Sequence, residues 1–189
     1  MTKSKLEFKE IRLTTPEFII SYPKLGERYH DEFSGKMQYS CEALIEKGSK
    51  VHEEWKEFMK KIEGLGEEWF GKKKHKIAFT FKDLDEVTDR EGDILSDKYP
   101  EMKNKLQLSL HNARAITMPV CDLDKHEIDA TDTSVMYGGC VCRARLQIHN
   151  YDFQGYGVTK KLLAVQKLRD GEKLGGKKQE DPSVYIDEF

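Results

Sequence analysis

The sequence holds no apolar run of 18 residues, so it offers no candidate for a membrane-crossing helix. It also lacks a signal-peptide pattern. Cysteine is scarce: Cys41, Cys121, Cys140 and Cys142 are the four present. So few thiols without a secretory leader point to free cysteines in a reducing compartment, not to a disulfide framework. The expectation is a soluble, cytoplasmic protein without membrane contact. No P-loop, nucleophile elbow or HExxH motif occurs, which removes the familiar signatures of nucleotide, ester and zinc-dependent peptide hydrolysis. There is no internal repeat and no long low-complexity linker. A length of 189 residues suits one domain with insertions.

Charge, by contrast, is plentiful and unevenly placed. Charged residues make up 35% of the chain, yet the net charge is only −2. The last ten residues carry four acids (Glu180, Asp181, Asp187 and Glu188) and no Lys or Arg, so the body without them is +2. From Met136 to Lys178 nine Lys/Arg face three acids, giving that stretch +6. A basic segment that runs into an acidic tail suggests an anionic ligand and a tail that mimics it.

Hydrophobic periodicity predicts a mainly β domain. Glu17–Pro23 reads as a short strand ended by its proline. In Lys36–Lys47, Met37, Tyr39, Cys41 and Ala43 alternate with Gln38, Ser40 and Glu42, a half-buried strand. Ser49 caps a helix whose stripe is Val51, Trp55, Phe58, Met59 and Ile62, with Gly64 as its end. Gly71–Lys82 joins four lysines (72, 73, 74 and 76) to a strand-like Ile77, Phe79, Phe81. Lys105–Ala113 and Met136–Asn150 alternate strongly, and Tyr156–Arg169 is read as a further strand. The pair Gly138-Gly139 suits a bulge or bend. Residues 1–16 read as a loose or edge segment, residues 83–97 as an acidic surface excursion. About five main strands and one inserted helix imply a small antiparallel barrel, of which the OB-fold is one type.

The run Tyr137-Gly-Gly-Cys-Val-Cys-Arg-Ala-Arg, then Asn150-Tyr-Asp-Phe, then Val165-Gln-Lys-Leu-Arg-Asp-Gly-Glu-Lys-Leu-Gly-Gly resembles the phage single-stranded-DNA-binding protein family with an OB-fold, formerly a family of unknown function. Ile20-Ser-Tyr-Pro-Lys-Leu25 matches the opening strand of that family. The likeness covers roughly residues 17–47 and 104–176; the excursion at 83–97 and the second cysteine, Cys142, depart from it. The resemblance implies an OB-fold-like five-stranded antiparallel barrel over 17–176, preceded by the segment 1–16 and followed by a disordered acidic tail at 177–189. It implies coating of single-stranded DNA with little sequence preference during phage replication or recombination, with duplex DNA bound more weakly. No enzyme activity, metal or cofactor is expected, and a homodimer is a further expectation.

Coating a single strand calls for cations on phosphates and aromatic faces under bases. Arg143 and Arg145 alternate with an apolar face and point the same way; the plain alternative is a solvated face paired with acids. Lys160, Lys161, Lys167 and Arg169 extend that basic segment. Tyr151, Phe153 and Tyr156 cluster in a turn-like stretch, where core packing is the competing role of each. Tyr22, Lys36 and Tyr39 are added from the first two strands, the tyrosines being equally suited to half-burial. The four lysines at 72–76 are best explained as a solvated run. Cys140 and Cys142 share a strand face and read as buried thiols; zinc would need further ligands such as His126 and His149. In the tail, Asp181, Tyr185, Asp187, Glu188 and Phe189 form an acidic segment with apolar anchors, suited to basic, apolar pockets of partner proteins or to the protein's own groove. It resembles the acidic, aromatic-ended tails of phage DNA-binding proteins, a resemblance that implies a replication polymerase or helicase as its partner. Two other functions compete. One is a metal-dependent nuclease or recombination accessory using Asp83, Asp85, Asp89, Glu91 and Asp93. The other is a protein-interaction adaptor that binds no nucleic acid.

Overall fold

The computed structural model describes residues 6–32 and 34–175. Chain order begins with β1 (Glu10–Thr14), β2 (Phe18–Asp31), β3 (Lys36–Glu46) and α1 (Lys50–Phe70). Two short strands follow, β4 (His75–Ile77) and β5 (Lys82–Asp83), then the one-turn helix α2 (Leu95–Lys98) and a 3₁₀ turn at Pro100–Met102. β6 (Lys105–Asn112), β7 (Val120–Cys121), β8 (Val141–Asp152) and β9 (Tyr156–Arg169) complete the order.

The hydrogen-bonded order is β4-β9-β8-β2-β3-β6-β5, with β1 on β8 and β7 on β9. The five long strands pair antiparallel, while β4 and β7 join β9 in parallel. The sheet curls into a half-barrel until β6 approaches β9. Asn112 bridges that seam: its Nδ2 donates to Leu162 O at 2.7 Å, and its Oδ1 accepts from the amides of Arg114 and Ala115 at 2.9 and 3.0 Å.

Alternation decides what lies inside the curl. Cys41, Ala43 and Ile45 of β3, Leu108 and Leu110 of β6, Cys142, Ala144, Leu146 and Ile148 of β8, and Val158, Leu162 and Val165 of β9 share one buried core. Each Leu or Ile so buried contributes about 1.5–3 kcal/mol. Helix α1 adds Trp55, Ile62 and Phe70. Ser49 caps it by accepting from His52 N at 3.1 Å, and Trp55 Nε1 donates to Glu17 O at 2.9 Å. Among the described residues the thiols of Cys41, Cys140 and Cys142 are buried, and burial pushes the Cys41 and Cys142 thiols up.

Several boundaries differ from the sequence reading. The described residues hold nine strands, not five: the five long ones carry four short ones on their margins. β2 does not stop at Pro23 but runs to Asp31, because a register shift between Ser21 and Lys24 takes the proline at a bulge, where no ladder donor is needed. α1 passes Gly64 and ends at Gly71, whose φ of 58° suits glycine and whose N–H bonds Glu67 O. Gly138-Gly139 forms a turn before β8, which starts at Val141. Residues 10–14 form a true strand. The acidic excursion is anchored: Leu84 and Met102 pack with Leu44 over the outside of β3. Lys47 Nζ grips Asp83 and Asp85 at 2.8 and 2.6 Å. Lys98 holds Asp89 and Glu91 at 2.8 and 3.3 Å.

Candidate functional site

The register of β1, β8 and β9 builds a polar outer face in rows. Arg143 stands opposite Gln166. Arg145 stands between Thr14 and Ala164, Gln147 between Arg12 and Lys161, and His149 between Glu10 and Thr159. Successive rows lie about 7 Å apart. Arg143 Nε donates to Gln166 Oε1 at 2.8 Å, and Arg145 Nη1 to Thr14 Oγ1 at 2.9 Å. These neutral partners orient the guanidinium groups without cancelling their charge. Arg12, Arg143, Arg145 and Lys161 make no ion pair among the described residues. A shallow hollow of about 210 Å³ lies between the two arginines, lined also by Lys125, Cys121 and Thr14.

The imidazole of His149 registers the environment of this face. Its pKa is lowered by burial first, with Lys161 and Arg114 adding to the fall, while Gln147 and Glu10 oppose it. Phe8 lies beside it, ring centroids 5.7 Å apart. One row further, Tyr151 lies across Gly157, so closely that a Cβ there would overlap the tyrosine Cζ. The missing side chain lets the ring lie flat on the sheet, half-buried beside the basic rows.

The other sequence candidates are dispersed. Phe153 projects from the β8–β9 turn, 73% exposed. Tyr156 packs on Phe70 at 5.3 Å and beneath Lys73 Nζ at 4.9 Å. Lys167 bonds Val135 O and pairs with Asp170 at 2.7 Å, and Arg169 makes two bonds to Glu17 at 2.7 and 2.8 Å. Tyr22 is exposed at the β2 bulge with φ of 44°, a strained setting for a bulky residue. Tyr39 is buried and its hydroxyl donates to Ile116 O at 3.0 Å. Lys36 is exposed at the start of β3, opposite Asp31. Asp181, Tyr185, Asp187, Glu188 and Phe189 lie outside the described residues.

A second concavity, of about 550 Å³, crosses the outside of β3 and β6 near the seam. Tyr29 walls one side, its hydroxyl receiving Ser40 Oγ at 3.0 Å. Glu42, His111, Lys82 and Lys160 are among its other lining residues, with Asp31 and Phe79. Burial raises the Glu42 carboxyl, and burial lowers Lys160 to about 8. Sequence reasoning placed Lys160 with the arginines and overlooked this groove, which alternation on β3 and β6 alone could not assemble. It also missed Arg12, although Glu10-Ile-Arg-Leu-Thr14 alternates.

The model of the family described as Enterobacter phage Enc34 ssDNA-binding protein matches residues 11–185. The chain belongs to this family. Its relatives include protein p50 of Acyrthosiphon pisum secondary endosymbiont phage 1, 29% identical over 175 residues, which are 91% of this chain and 87% of p50. Among solved structures, the Enc34 single-stranded DNA-binding protein in complex with ssDNA superposes with a TM-score of 0.65 at 21% identity, covering 87% of this chain and 89% of that one. The bacteriophage T7 single-stranded DNA-binding protein gp2.5 gives 0.55 at 11% identity over 96% of both chains. At these identities the two structures speak to the fold, which this phage family member shares. No helix among the described residues is long and apolar enough to cross a membrane.

Proposed function

We propose that this protein coats single-stranded DNA with little overall sequence preference in the cytoplasm of a phage-infected cell, during replication or recombination. The observation that carries the reading is the outer face of β1, β8 and β9, where Arg12, Arg143, Arg145 and Lys161 gather without carboxylate partners among the described residues. Phosphates are the ligand such a face suits, and their binding releases counterions. Tyr151 and exposed Phe153 supply aromatic faces for bases, worth about 1–3 kcal/mol per stacked base. Membership in the Enc34 family and the likeness of fold support the same ligand. In this reading the half-barrel is of the OB type, with β2, β3, β6, β8 and β9 as its five strands. The domain spans residues 17–176, and the tail 177–189 recruits a replication polymerase or helicase.

The experiment is a salt titration of binding to oligo-dT and to duplex DNA, with wild type and the Arg143→Ala/Arg145→Ala double variant. Wild type binds the single strand more tightly and weakens as salt rises. The variant weakens binding and loses about 1.4 from the magnitude of the log–log salt slope, about 0.7 per phosphate contact. An unchanged slope removes this face from the DNA path.

A further inference from the structure

The groove over β3 and β6 has a different chemistry from the basic face. Glu42 and Lys160 sit in it near enough to perturb one another's charge, yet they form no direct ion pair among the described residues. Glu42 Oε2 is buried without a hydrogen-bond partner there. Ser109 and Gln107 offset only part of the cost of burying that carboxylate. A buried charge left half-satisfied is expensive, so such a group marks a place for a ligand donor. Across the groove, Lys160 Nζ lies 5.0 Å from the centre of the Phe79 ring, a donor held in place. Tyr29, fixed by Ser40, adds an aromatic wall.

A phosphate does not suit this groove, because Glu42 repels it. What suits is a neutral, flat group that offers a hydrogen-bond donor to Glu42 and an acceptor to Lys160. We infer that the groove between β3, β6 and β9 is a base-reading subsite that favours a nucleobase with an exocyclic amino group over thymine. Cytosine gives its N4 amino group to a carboxylate and keeps ring acceptors for an ammonium. Thymine's one ring donor away from the sugar, N3–H, is flanked by two carbonyl oxygens that meet Glu42 with like polarity, whereas the cytosine amino group presents two N–H donors clear of its carbonyl. The inference rests on the single-strand reading above and adds to it a local preference within otherwise tolerant binding.

The two pyrimidines give the cleanest comparison, since they stack alike. Binding of oligo-dC and oligo-dT of equal length is measured with wild type, Glu42→Gln and Lys160→Met, each checked for a native melting transition. Wild type binds oligo-dC about fivefold or more tightly. Glutamine offers both a donor and an acceptor, so Glu42→Gln brings the two affinities together, chiefly by improving oligo-dT. Equal wild-type affinities, or a preference that persists in Glu42→Gln, overturn the inference while leaving single-strand binding intact. Failure of wild type to bind either oligonucleotide overturns the single-strand reading and this one with it. Should both variants fold poorly, the His111 ring resonances of wild type serve instead: they move with oligo-dC at concentrations where oligo-dT leaves them in place, and equal movement with both overturns the subsite.

Discussion

Lys160 and Lys161 are neighbours on β9 whose side chains leave opposite faces of that strand. Lys161 stands opposite Gln147, in the row of Arg12, on the outer face. Lys160 stands opposite Ile148 and reaches the groove beside Glu42. The period-two geometry of a strand divides one basic dipeptide between two surfaces of different chemistry.

That division predicts different salt behaviour. Lys161→Met is expected to weaken oligo-dT binding and to reduce the magnitude of the salt slope by about 0.7, the loss of one phosphate contact on a single strand. Lys160→Met is expected to leave the slope unchanged, since its partner is a base edge. Fluorescence titrations at four salt concentrations distinguish the two. Equal slopes in both variants would place the lysines in one environment, against the register.

Lys160 also predicts a pH dependence of stability. Burial lowers its pKa from the ordinary 10.5 to about 8 in the folded protein. Between those values the unfolded chain binds more protons than the folded one, so this group makes stability rise with pH across that window. Its destabilising effect is fully present below pH 8 and is gone above 10.5. The difference in melting temperature between Lys160→Met and wild type should therefore favour the variant at pH 7 and shrink towards pH 10. A difference that stays constant over that range would show an unshifted lysine.

Gly157 and Tyr151 predict a coupled pair. A methyl group on Gly157 has no room, because the Tyr151 ring occupies the place its Cβ would take. Gly157→Ala is expected to lower stability by about 1–3 kcal/mol, the cost of overpacking. In a Tyr151→Ala background the same change is expected to cost much less. A double-mutant cycle from denaturant melts should show at least about 1 kcal/mol of coupling. Additive effects would mean that the ring moves aside freely.

Much of this was legible in the sequence because strands declare themselves by alternation. Leu106, Leu108 and Leu110 fixed one face of β6, and Cys142 to Ile148 fixed one face of β8 with Arg143 and Arg145 on the other. The same signal failed at Pro23, where a bulge carries a strand past a residue that ordinarily ends one. Helix α1 outran Gly64 because its far end packs on the strand after it: Gly66 leaves space for His75, whose Nε2 lies 2.7 Å from where a Cβ on that glycine would sit. Pairing is what the sequence hid. Nothing local brings Arg12 beside Gln147, or Lys160 beside Glu42, and both surfaces depend on such cross-strand neighbours. The stretch 83–97 reads only as an acidic surface excursion because nothing in the sequence marks Lys47 and Lys98 as the partners of Asp83, Asp85, Asp89 and Glu91.

The seam between β6 and β9 carries the last prediction. Among the described residues no ladder pairs these strands; Asn112 bonds across the gap and satisfies three backbone groups at once. Asn112→Leu keeps the volume but leaves the Leu162 carbonyl and the amides of Arg114 and Ala115 without that partner. The buried Leu162 carbonyl left unpaired costs about 1–3 kcal/mol, while the partly exposed amides of Arg114 and Ala115 turn to water, so the variant should lose about 1–3 kcal/mol. The loss should be local before it is global, because the core strands retain their own ladders. Hydrogen exchange is the decisive measurement: the amides of Arg114 and Ala115 should exchange faster by an order of magnitude or more at a stability where those of β8 remain protected. If protection of the two amides survives the substitution, the half-barrel is held closed by packing of β6 on β9, and the asparagine only follows it.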